Sequence, residues 1–418
     1  MTSFSIQTFG CRVNQAEAFS WADEFQNRGL RYEKDFTRSD FIVVNSCTLT
    51  SRADRDVRKF IKRASRLNPK ARLILTGCYV ERRSEDFEEF PQVWLLLSNT
   101  DKRNLPAKVL PLANPQKNIP NFPFRSRALV KIQDGCNFRC SFCVIPKLRG
   151  PSASFGKKEV LAQIKKFINR GFKEIVLTGI HLCSYGLDLK PKSSLLQLLE
   201  EIEDLDGLAR VRLSTLDPRF LSPTLLEYIT SSKKVCPHFH LSLQHGSDEI
   251  LERMGRKISV EDYRGILAFL RHNSPRASLG ADLVVGFPGE TEEDFKITHR
   301  FLEKSPLTYF HVFSYSPRPG TLAASWPQLN GKLKHERAAL LRKLARKKNT
   351  DFRRLFVGEE CDAVVIKKEK EESEVLTSNY IKVFVPSSLP EEREEVKVKI
   401  TKVVPRDTFG EITDFCIC

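Results

Sequence analysis

The first hundred residues alternate short apolar runs with longer amphipathic ones. The apolar runs have the length and β-branched content of buried strands, and the longer segments have helical periodicity. The strand-like runs are SIQTFG, FIVVN and RLILTG, and the helical ones are NQAEAFSWADEFQNRG and the polar stretch from Ser51 to Leu67. This alternation predicts an open α/β domain, in which helices flank a parallel sheet.

From Arg127 the alternation restarts and continues through six strand–helix units. The strand-like runs are ALVKIQ, EIVLTG, RVRLST, HFHLSLQ, LGADLVVGF and YFHVFSYS. Six such units predict a partial (βα)6 barrel, an open version of the eight-unit barrel whose active site lies at the carboxyl ends of the strands. The loops DGCNFRCSFC, LTGIHLCSYG, LQHGSD and VVGFPGET follow four of these strands.

The pattern changes again in the last part of the chain. Residues 331–356 combine a basic face with an apolar stripe and predict one amphipathic helix. The stripe consists of Leu340, Leu341, Leu344, Leu355 and Phe356. Beyond Gly358, short alternating runs between acidic or proline-containing turns predict a small β-barrel.

A stretch rich in proline and asparagine, from Leu105 to Phe124, has little periodicity and predicts an extended linker. A chain of 418 residues is also too long for one ordinary core. The expected fold class is therefore α/β with three units: an open α/β sheet domain at 1–112, the partial barrel at 122–350 and the small β-barrel at 356–418.

The charge balance favours a polyanionic partner. Lys and Arg number 68 against 52 Asp and Glu, a formal net charge of +16, and such an excess indicates nucleic acid before membrane. Residues 332–356 hold ten basic residues against two acidic ones, whereas residues 358–418 hold nine basic against fourteen acidic. No apolar run has the length of a membrane span, so we expect a cytoplasmic protein that does not bind a membrane.

Eleven cysteines in a chain from a reducing compartment indicate metal or redox chemistry rather than disulfides. The strongest spacing is Cys136-x-x-x-Cys140-x-x-Cys143 in one loop. Three thiolates can ligate three irons of a four-iron cluster and leave the fourth iron open for a small molecule. The alternative is a zinc loop or three buried cysteines, although zinc spacings usually come as local pairs.

A second set of cysteines is widely spaced along the chain. Cys11, Cys47 and Cys78 each follow a strand of the predicted N-terminal sheet. Because ligand sites of open parallel sheets gather beyond the carboxyl ends of the strands, we expect these thiols to converge. The alternative is three ordinary buried cysteines. We expect no special role for Cys236, Cys361, Cys416 and Cys418.

The cysteine loop after the first barrel strand resembles the radical S-adenosylmethionine (SAM) superfamily. The resemblance implies that the open iron chelates the methionine end of SAM. It also implies that an electron from the cluster cleaves SAM to a 5′-deoxyadenosyl radical. Phe142, directly before the last cysteine, resembles the residue that packs beside the SAM adenine.

Further runs resemble the methylthiotransferases and cover nearly the whole chain. They are TFGCRVNQAE, VVNSCTLT, LTGCY, HLCSYG, SLQHGSDEILERMGRK, DLVVGFPGETEEDF and FSYSPRPGT. This resemblance implies two 4Fe-4S clusters, with Cys11, Cys47 and Cys78 holding an auxiliary cluster on which the inserted sulfur is bound and methylated. It also implies that two SAM molecules are consumed per product.

TFGCRVNQAE and LTGIHLCSYG look most like the branch that methylthiolates C2 of N6-threonylcarbamoyladenosine at adenosine-37, beside the tRNA anticodon. The isopentenyladenosine branch reads closer to YGCQMN at the first cysteine, and the ribosomal-protein aspartate branch closer to GCPKN. A third alternative is an iron–sulfur RNA-binding regulator without turnover. For the enzyme we expect a monomer and a reductant such as flavodoxin or ferredoxin, while the sulfur donor stays unassigned.

The loop VVGFPGET lacks the Lys and hydroxyl of a phosphate-binding P-loop. We expect Gly286 and Gly289 to form a tight turn close to SAM, and Thr291 to cap the following helix. Other polar residues near predicted strand ends can equally be structural, so no catalytic residue beyond the cluster ligands is assigned. They are Asp134, His181, Gln244 and His245.

The last module resembles the small RNA-binding barrel, TRAM-like, that closes many tRNA-modifying enzymes. Its acidic balance leads us to expect that the basic helix provides most of the attraction for RNA. The candidate RNA-binding residues of the helix are Arg342, Lys343, Arg346, Lys347, Arg353 and Arg354. A local face of the barrel, with Lys397, Lys399, Lys402 and Arg406, would add to it. The alternative is an ordinary solvated helix face.

Overall fold

The structure is a computed structural model that describes residues 2–110, 126–369, 371–386 and 392–415. No helix among these residues combines the length and the apolar character that crossing a membrane requires.

The N-terminal module is a five-stranded parallel sheet with helices on its faces. Its strands are β1 (Ser3–Thr8), β2 (Arg31–Tyr32), β3 (Phe41–Ser46), β4 (Arg72–Gly77) and β5 (Val93–Leu97), in the order β2-β1-β3-β4-β5. The helices are α1 (Arg12–Asn27), α2 (Ser51–Leu67), α3 (Cys78–Arg82) and α4 (Leu105–Val109). The predicted strands β1, β3 and β4 form the centre of the sheet, and β3 and β4 are buried on both faces along most of their length. The strands β2 and β5, which the pattern did not predict, are its edges.

The stretch predicted as an extended linker begins instead with helix α4. Pro106 stands in the first turn of this helix, where its missing N–H costs no hydrogen bond. Leu105 and Val109 are buried in the main core. Residues 111–125 of the predicted linker lie outside the described part of the chain.

The central module contains the six predicted parallel strands and one short antiparallel strand. The strands are β6 (Ala128–Asp134), β7 (Ala153–Ser154), β8 (Glu174–Gly179), β9 (Arg210–Leu213), β10 (His238–Gln244), β11 (Ser278–Val285) and β12 (Tyr309–Ser314). They form the sheets β7-β6-β8-β9 and β10-β11-β12, which two isolated parallel bridges, Val211 to Val235 and Leu216 to Leu241, connect. The open six-strand barrel is therefore confirmed.

Eight helices lie between and after these strands. They are α5 (Ile145–Arg149), α6 (Lys157–Ile168), α7 (Leu195–Glu203), α8 (Pro223–Ser231), α9 (Asp248–Arg253), α10 (Val260–Asn273), α11 (Glu292–Lys304) and α12 (Gly331–Arg354). Helix α11 begins with the expected cap: Thr291 accepts from the Asp294 amide, and Asp294 accepts from the Thr291 amide.

The buried face of α12 differs from the predicted apolar stripe. Leu340 and Leu355 are 51% and 73% exposed, respectively. The buried apolar residues of the helix are spaced three, four and seven apart: Ala338, Leu341, Ala345 and Phe352. Leu340 lies about 100° around the helix from Leu341, so it cannot share this narrow face. Helix α12 packs against strand β12.

The C-terminal module is a closed five-stranded barrel. Its strands are β13 (Glu360–Lys367), β14 (Glu372–Thr377), β15 (Lys382–Pro386), β16 (Glu395–Val403) and β17 (Thr408–Phe415), in the order β13-β14-β15-β17-β16. A buried ion pair fixes the barrel to the central module: Arg212 of β9 donates to Glu174 of β8 and to the carbonyls of Thr377 and Ser378. The predicted α/β class with a terminal β-barrel is thus confirmed.

Candidate active site

Both cysteine sets line one cavity of about 720 Å³ at the carboxyl ends of the strands. The six lining cysteines are Cys11, Cys47, Cys78, Cys136, Cys140 and Cys143. All six are free thiols. The tertiary structure therefore brings together two groups that the sequence predicted separately, one from the N-terminal module and one from the central module.

Strand order explains how the N-terminal thiols meet. The strands β1, β3 and β4 are neighbours, and Cys47 and Cys78 directly follow two of them, while Cys11 caps helix α1. Gly10 has φ +90°, and a Cβ at this position would overlap the side chain of Cys47. Gly77 has φ +96°, and a Cβ there would overlap the Ser46 carbonyl. Glycine is thus required at both turns for the close approach of the chain.

The loop with the other three cysteines connects β6 to α5 and is held by backbone hydrogen bonds. The Cys136 amide donates to the carbonyl of Gly150 at 3.1 Å. The Ser141 amide donates to the Met254 carbonyl at 3.0 Å, and the Ser141 hydroxyl donates to the Arg253 carbonyl at 2.8 Å. These bonds fix the loop from both sides without using the thiols, so the thiols stay free to bind a metal group.

Burial favours the protonated form of four of these thiols by raising their pKa values. It raises the pKa of both Cys47 and Cys143 to about 12, and it also raises the pKa of Cys11 and Cys136. Thiolates are the metal-binding form, so ligation at these positions must release protons. The charge of Arg149 opposes the effect of burial at Cys11 and Cys47.

Arg149 connects the two modules beside the N-terminal cysteines. Its Nε donates to Sγ of Cys78 at 3.3 Å, and its other nitrogens donate to Glu17, Asp134 and Asn14. Burial disfavours the charged form of Glu17, but Lys102, Lys131 and Arg149 outweigh it and hold its pKa well below the usual value. The result is a buried ion-pair network that places the Arg149 guanidinium against the Cys78 sulfur.

A second ion cluster lies beside the Cys136 loop. Asp217 accepts hydrogen bonds from His181 at 3.0 Å, from Arg219 at 2.6 Å and from Arg256 at 3.0 Å. Although burial opposes ionisation, the bonds from His181 and Arg219 and the charge of Arg256 lower the pKa of Asp217 far below its usual value. The carboxylate therefore positions these cations around the loop, and His181 has a structural partner.

Histidine and tyrosine rings line a further part of the cavity. The Tyr309 hydroxyl lies 2.7 Å from Nε2 of His238 and 2.8 Å from Nδ1 of His240. Tyr380 comes from the C-terminal barrel and stacks on His238 with ring centroids 4.1 Å apart. Burial and the nearby Arg212 hold the pKa of His238 well below its usual value, so this ring is neutral.

The three residues expected to contact SAM differ in their placement. Phe142 lines the cavity and packs edge-on against Phe287 at a centroid distance of 6.4 Å. Gly286 and Gly289 are not among the described residues that line the cavity. They lie against the side chains of Lys334 and Arg253, respectively. The loop between them is closed by Glu290, which accepts from the Gly286 amide at 2.6 Å. This placement gives the two glycines a role in loop packing.

The other polar candidates near strand ends have internal partners. His245 lies 3.3 Å from Glu290, and Asp134 accepts from Lys131 and Arg149. Gln244 has φ +78° and lines the cavity.

The basic helix α12 presents only some of its candidates to solvent. Lys343, Arg346, Lys347 and Arg354 are exposed, and Arg342 is exposed although it donates to the Val312 carbonyl. Arg353 is buried, and its guanidinium donates to barrel carbonyls and to Thr408. An arginine bonded in this way has no donors left for phosphate. Arg353 therefore joins helix to barrel and is not supported as an RNA contact.

The remaining cysteines lie apart from both sets. Cys236 is buried and Cys361 half-buried, and burial raises the pKa of each to about 11. Cys183 accepts a hydrogen bond from the Asp217 amide at 3.4 Å. Cys416 and Cys418 lie outside the described residues.

The cavity fits iron–sulfur groups better than a single ion. Within the described ranges, no three Cys, His, Asp or Glu side chains are grouped to hold one metal ion. Each cysteine set instead contributes three thiols to a wide cavity that also has cationic walls. A cluster with several irons needs widely spaced thiolates and benefits from nearby cations, because its net charge is negative.

Several cavity residues, among them Arg12, Arg149 and Tyr380, were not among the sequence-based candidates. Arg12 directly follows Cys11, and its position in the motif could have marked it. Arg149 and Tyr380 carry no such signal, because their distance from the cysteines along the chain hides their proximity in space.

Comparisons with known proteins agree with this arrangement. Residues 130–302 match the model of the radical SAM superfamily, and residues 3–98 match that of uncharacterized protein family UPF0004. A solved structure of the radical SAM methyltransferase TsrM from Kitasatospora setae superposes with a TM-score of 0.57 at 15% identity, over 78% of this chain and 77% of that one. At this identity the likeness concerns the fold alone.

Curated relatives match over almost the full length. The threonylcarbamoyladenosine tRNA methylthiotransferase MtaB of Aquifex aeolicus is 37% identical over 397 residues, which are 91% of this chain and 95% of the relative. The enzyme of the same name from Bacillus subtilis is 33% identical over 427 residues, 96% of this chain and 94% of the relative. The chain therefore belongs to the radical SAM family of threonylcarbamoyladenosine tRNA methylthiotransferases.

Proposed function

We propose that this protein methylthiolates C2 of N6-threonylcarbamoyladenosine at position 37, beside the anticodon of tRNA. The observation that carries the proposal is the shared cavity, because both cysteine sets face one space. A reaction that inserts a sulfur atom at a site activated by a radical needs the sulfur and the radical source within reach of one substrate atom.

Each cysteine set is assigned one 4Fe-4S cluster. Cys136, Cys140 and Cys143 would hold the cluster that binds SAM, with Phe142 beside the cofactor. Cys11, Cys47 and Cys78 would hold the auxiliary cluster. When bound, the clusters and SAM would supply two things. One is reductive cleavage of SAM, which can activate an aromatic C–H bond, and the other is the methylated sulfur that replaces the hydrogen.

The side chains of the cavity bind and orient rather than exchange protons. Arg149 places a permanent positive charge against Cys78, and Asp217 fixes two arginines beside the Cys136 loop. His238 is neutral, and His240 lies 3.1 Å from Asp282. Radical activation of a C–H bond needs no strong general base, so we assign no catalytic base to these side chains.

The tRNA-binding surface is assigned to the exposed basic face of α12. Lys343, Arg346 and Lys347 are exposed there, and the described residues offer them no carboxylate within ion-pair distance. Cations that are not neutralised within the protein are available to phosphates. The barrel contributes Tyr380 to the cavity and Lys397, Lys399, Lys402 and Arg406 to its surface.

We further assign three units at 1–112, 122–350 and 356–418, a monomeric state, a cytoplasmic location, and a reductant of the flavodoxin or ferredoxin type. Mass analysis of tRNA nucleosides from cells lacking the gene tests the function. Loss of the methylthio derivative of threonylcarbamoyladenosine alone is expected. Loss of the isopentenyladenosine derivative instead, or of a modified ribosomal protein, would overturn the assignment.

A further inference from the structure

Among the described residues, five arginines line the cavity, and four of them form ion pairs with carboxylates. Arg127 pairs with Glu174, Arg149 with Glu17 and Asp134, and Arg219 and Arg256 with Asp217. In contrast, no carboxylate within the described ranges lies at ion-pair distance from Arg12. Arg12 is therefore the cavity arginine that has no ion-pair partner in the described part of the protein.

The guanidinium of Arg12 is held in place by the C-terminal barrel. One terminal nitrogen donates to the Tyr380 hydroxyl at 2.6 Å. Tyr380 itself is fixed by its stacking on His238 and by the guanidinium of Arg212, 5.1 Å from its ring centroid. An arginine has five N–H donors, and this bond uses one of them. The others are available to a ligand in the cavity.

The groups around Arg12 do not supply a counter-charge. His238 and the Tyr309 hydroxyl are both uncharged, since burial lowers the pKa of the histidine and raises that of the tyrosine. Asp282 lines the same cavity and lies 3.1 Å from Nε2 of His240. The site thus combines one fixed cation with neutral hydrogen-bonding rings, which suits an anionic substituent.

The substrate of the proposed function carries such a group. The threonylcarbamoyl substituent has one carboxylate, whereas an isopentenyl substituent is uncharged and apolar. We propose that Arg12 binds the carboxylate of the threonylcarbamoyl group and thereby selects this nucleoside; the inference rests on the proposed function. Guanidinium and carboxylate form paired, charge-assisted hydrogen bonds, and a site built for a polar group strongly rejects analogues that lack it.

The position of Arg12 next to Cys11 gives the contact a second consequence. Arg12 lines the same cavity as the N-terminal cysteines, so a substituent held by Arg12 stays inside that cavity. Because Arg12, His238 and Tyr380 come from three different modules, the selective site forms only when all three are assembled.

The test compares two anticodon stem-loop RNAs, one with threonylcarbamoyladenosine and one with its neutral methyl ester. Binding is measured with the full-length, cluster-loaded protein and with Arg12→Gln and Arg12→Lys. The wild type is expected to bind the acid about tenfold or more tightly than the ester. Arg12→Gln should bind both RNAs about as weakly as the wild type binds the ester, and Arg12→Lys should keep part of the preference.

Arg346→Gln is the matched control. It removes an exposed cation of α12, so it should weaken the binding of both RNAs equally and keep the ratio of affinities for the acid and the ester. The role of Arg12 would be overturned if Arg12→Gln kept the wild-type ratio of affinities for the acid and the ester, for example by losing affinity equally for both RNAs. It would also be overturned if the wild type bound the two RNAs equally well. Failure of the proposed function is a separate result: the wild type would then form no methylthio product from the acid RNA, whatever the binding ratio.

Discussion

Arg149 donates a hydrogen bond from Nε to Sγ of Cys78 across the junction of the N-terminal and central modules. The same guanidinium bonds Asn14, Glu17 and Asp134, so one side chain connects helix α1, strand β6 and a proposed cluster ligand. The two halves of the cavity are therefore fixed relative to each other by a buried ionic network rather than by apolar packing alone.

Replacing Arg149 with Met should weaken both the junction and the proposed auxiliary cluster. Removing one partner of a buried ion pair costs about 3–5 kcal/mol, because the other charge stays buried. Loss of a cation beside the cluster should also make its reduction potential more negative. Urea unfolding and a redox titration followed by electron paramagnetic resonance measure the two effects. Arg149→Lys keeps the positive charge, so its reduction potential should stay close to that of the wild type. An unchanged reduction potential in Arg149→Met would contradict an electrostatic role of Arg149 beside the cluster.

Substitutions in the two cysteine sets should separate SAM cleavage from methylthio transfer. Cys140→Ala should abolish formation of 5′-deoxyadenosine from SAM under reducing conditions. Cys47→Ala should keep SAM cleavage, stop methylthio transfer and retain about half of the wild-type iron. Cys236→Ala is the control, since this buried thiol is outside both sets. Full iron content in Cys47→Ala would show that the N-terminal cysteines do not hold a cluster.

The pair of Glu174 and Arg212 predicts a pH-dependent contribution to stability. Burial disfavours the charged carboxylate, but Arg212 and Arg127 outweigh it and lower the pKa of Glu174 to about 2, against 4.5 ordinarily. A lowered pKa stabilises the fold above the ordinary value, and this stabilisation is lost as pH falls from 4.5 towards 2. The expected contribution at neutral pH is about 3 kcal/mol.

Urea unfolding of the wild type and Glu174→Gln at neutral pH and at about pH 3 tests this expectation. The free energy of unfolding of the wild type should exceed that of the variant at neutral pH. The difference should shrink at about pH 3, because the unfolded chain takes up a proton at Glu174 below its ordinary pKa while the folded protein keeps the carboxylate ionised. Glu201→Gln removes a partly exposed ion-pair partner of Lys157 and is the control. It should change the free energy of unfolding little at either pH. A difference that stays constant with pH would refute the ionised pair.

The exposed basic face of α12 predicts a salt-dependent loss of tRNA binding. The double change Arg346→Gln and Lys347→Gln should reduce the slope of log affinity against log salt by about two, because two phosphate contacts are lost. Lys158→Gln, an exposed cation on α6, is the control and should leave the slope unchanged. An unchanged slope in the double variant would place the RNA elsewhere.

The sequence by itself determined the three modules, the central strands and both cysteine sets. These features are local: strand periodicity, helix caps such as Thr291, and the spacing of Cys136, Cys140 and Cys143 depend on neighbours along the chain. The methylthiotransferase resemblance depends on the same local runs. The family relationship was therefore predictable without coordinates.

Only the tertiary structure decided that both cysteine sets share one cavity and which charges remain free in it. Arg353 and Arg12 both carry a permanent charge, yet one is bonded to barrel carbonyls and the other faces the cavity. Partners such as Tyr380 lie hundreds of residues away along the chain, so no local pattern reveals them. Whether a cation is structural or available to a ligand depends on burial and on long-range pairing, and these are set only when the modules pack together.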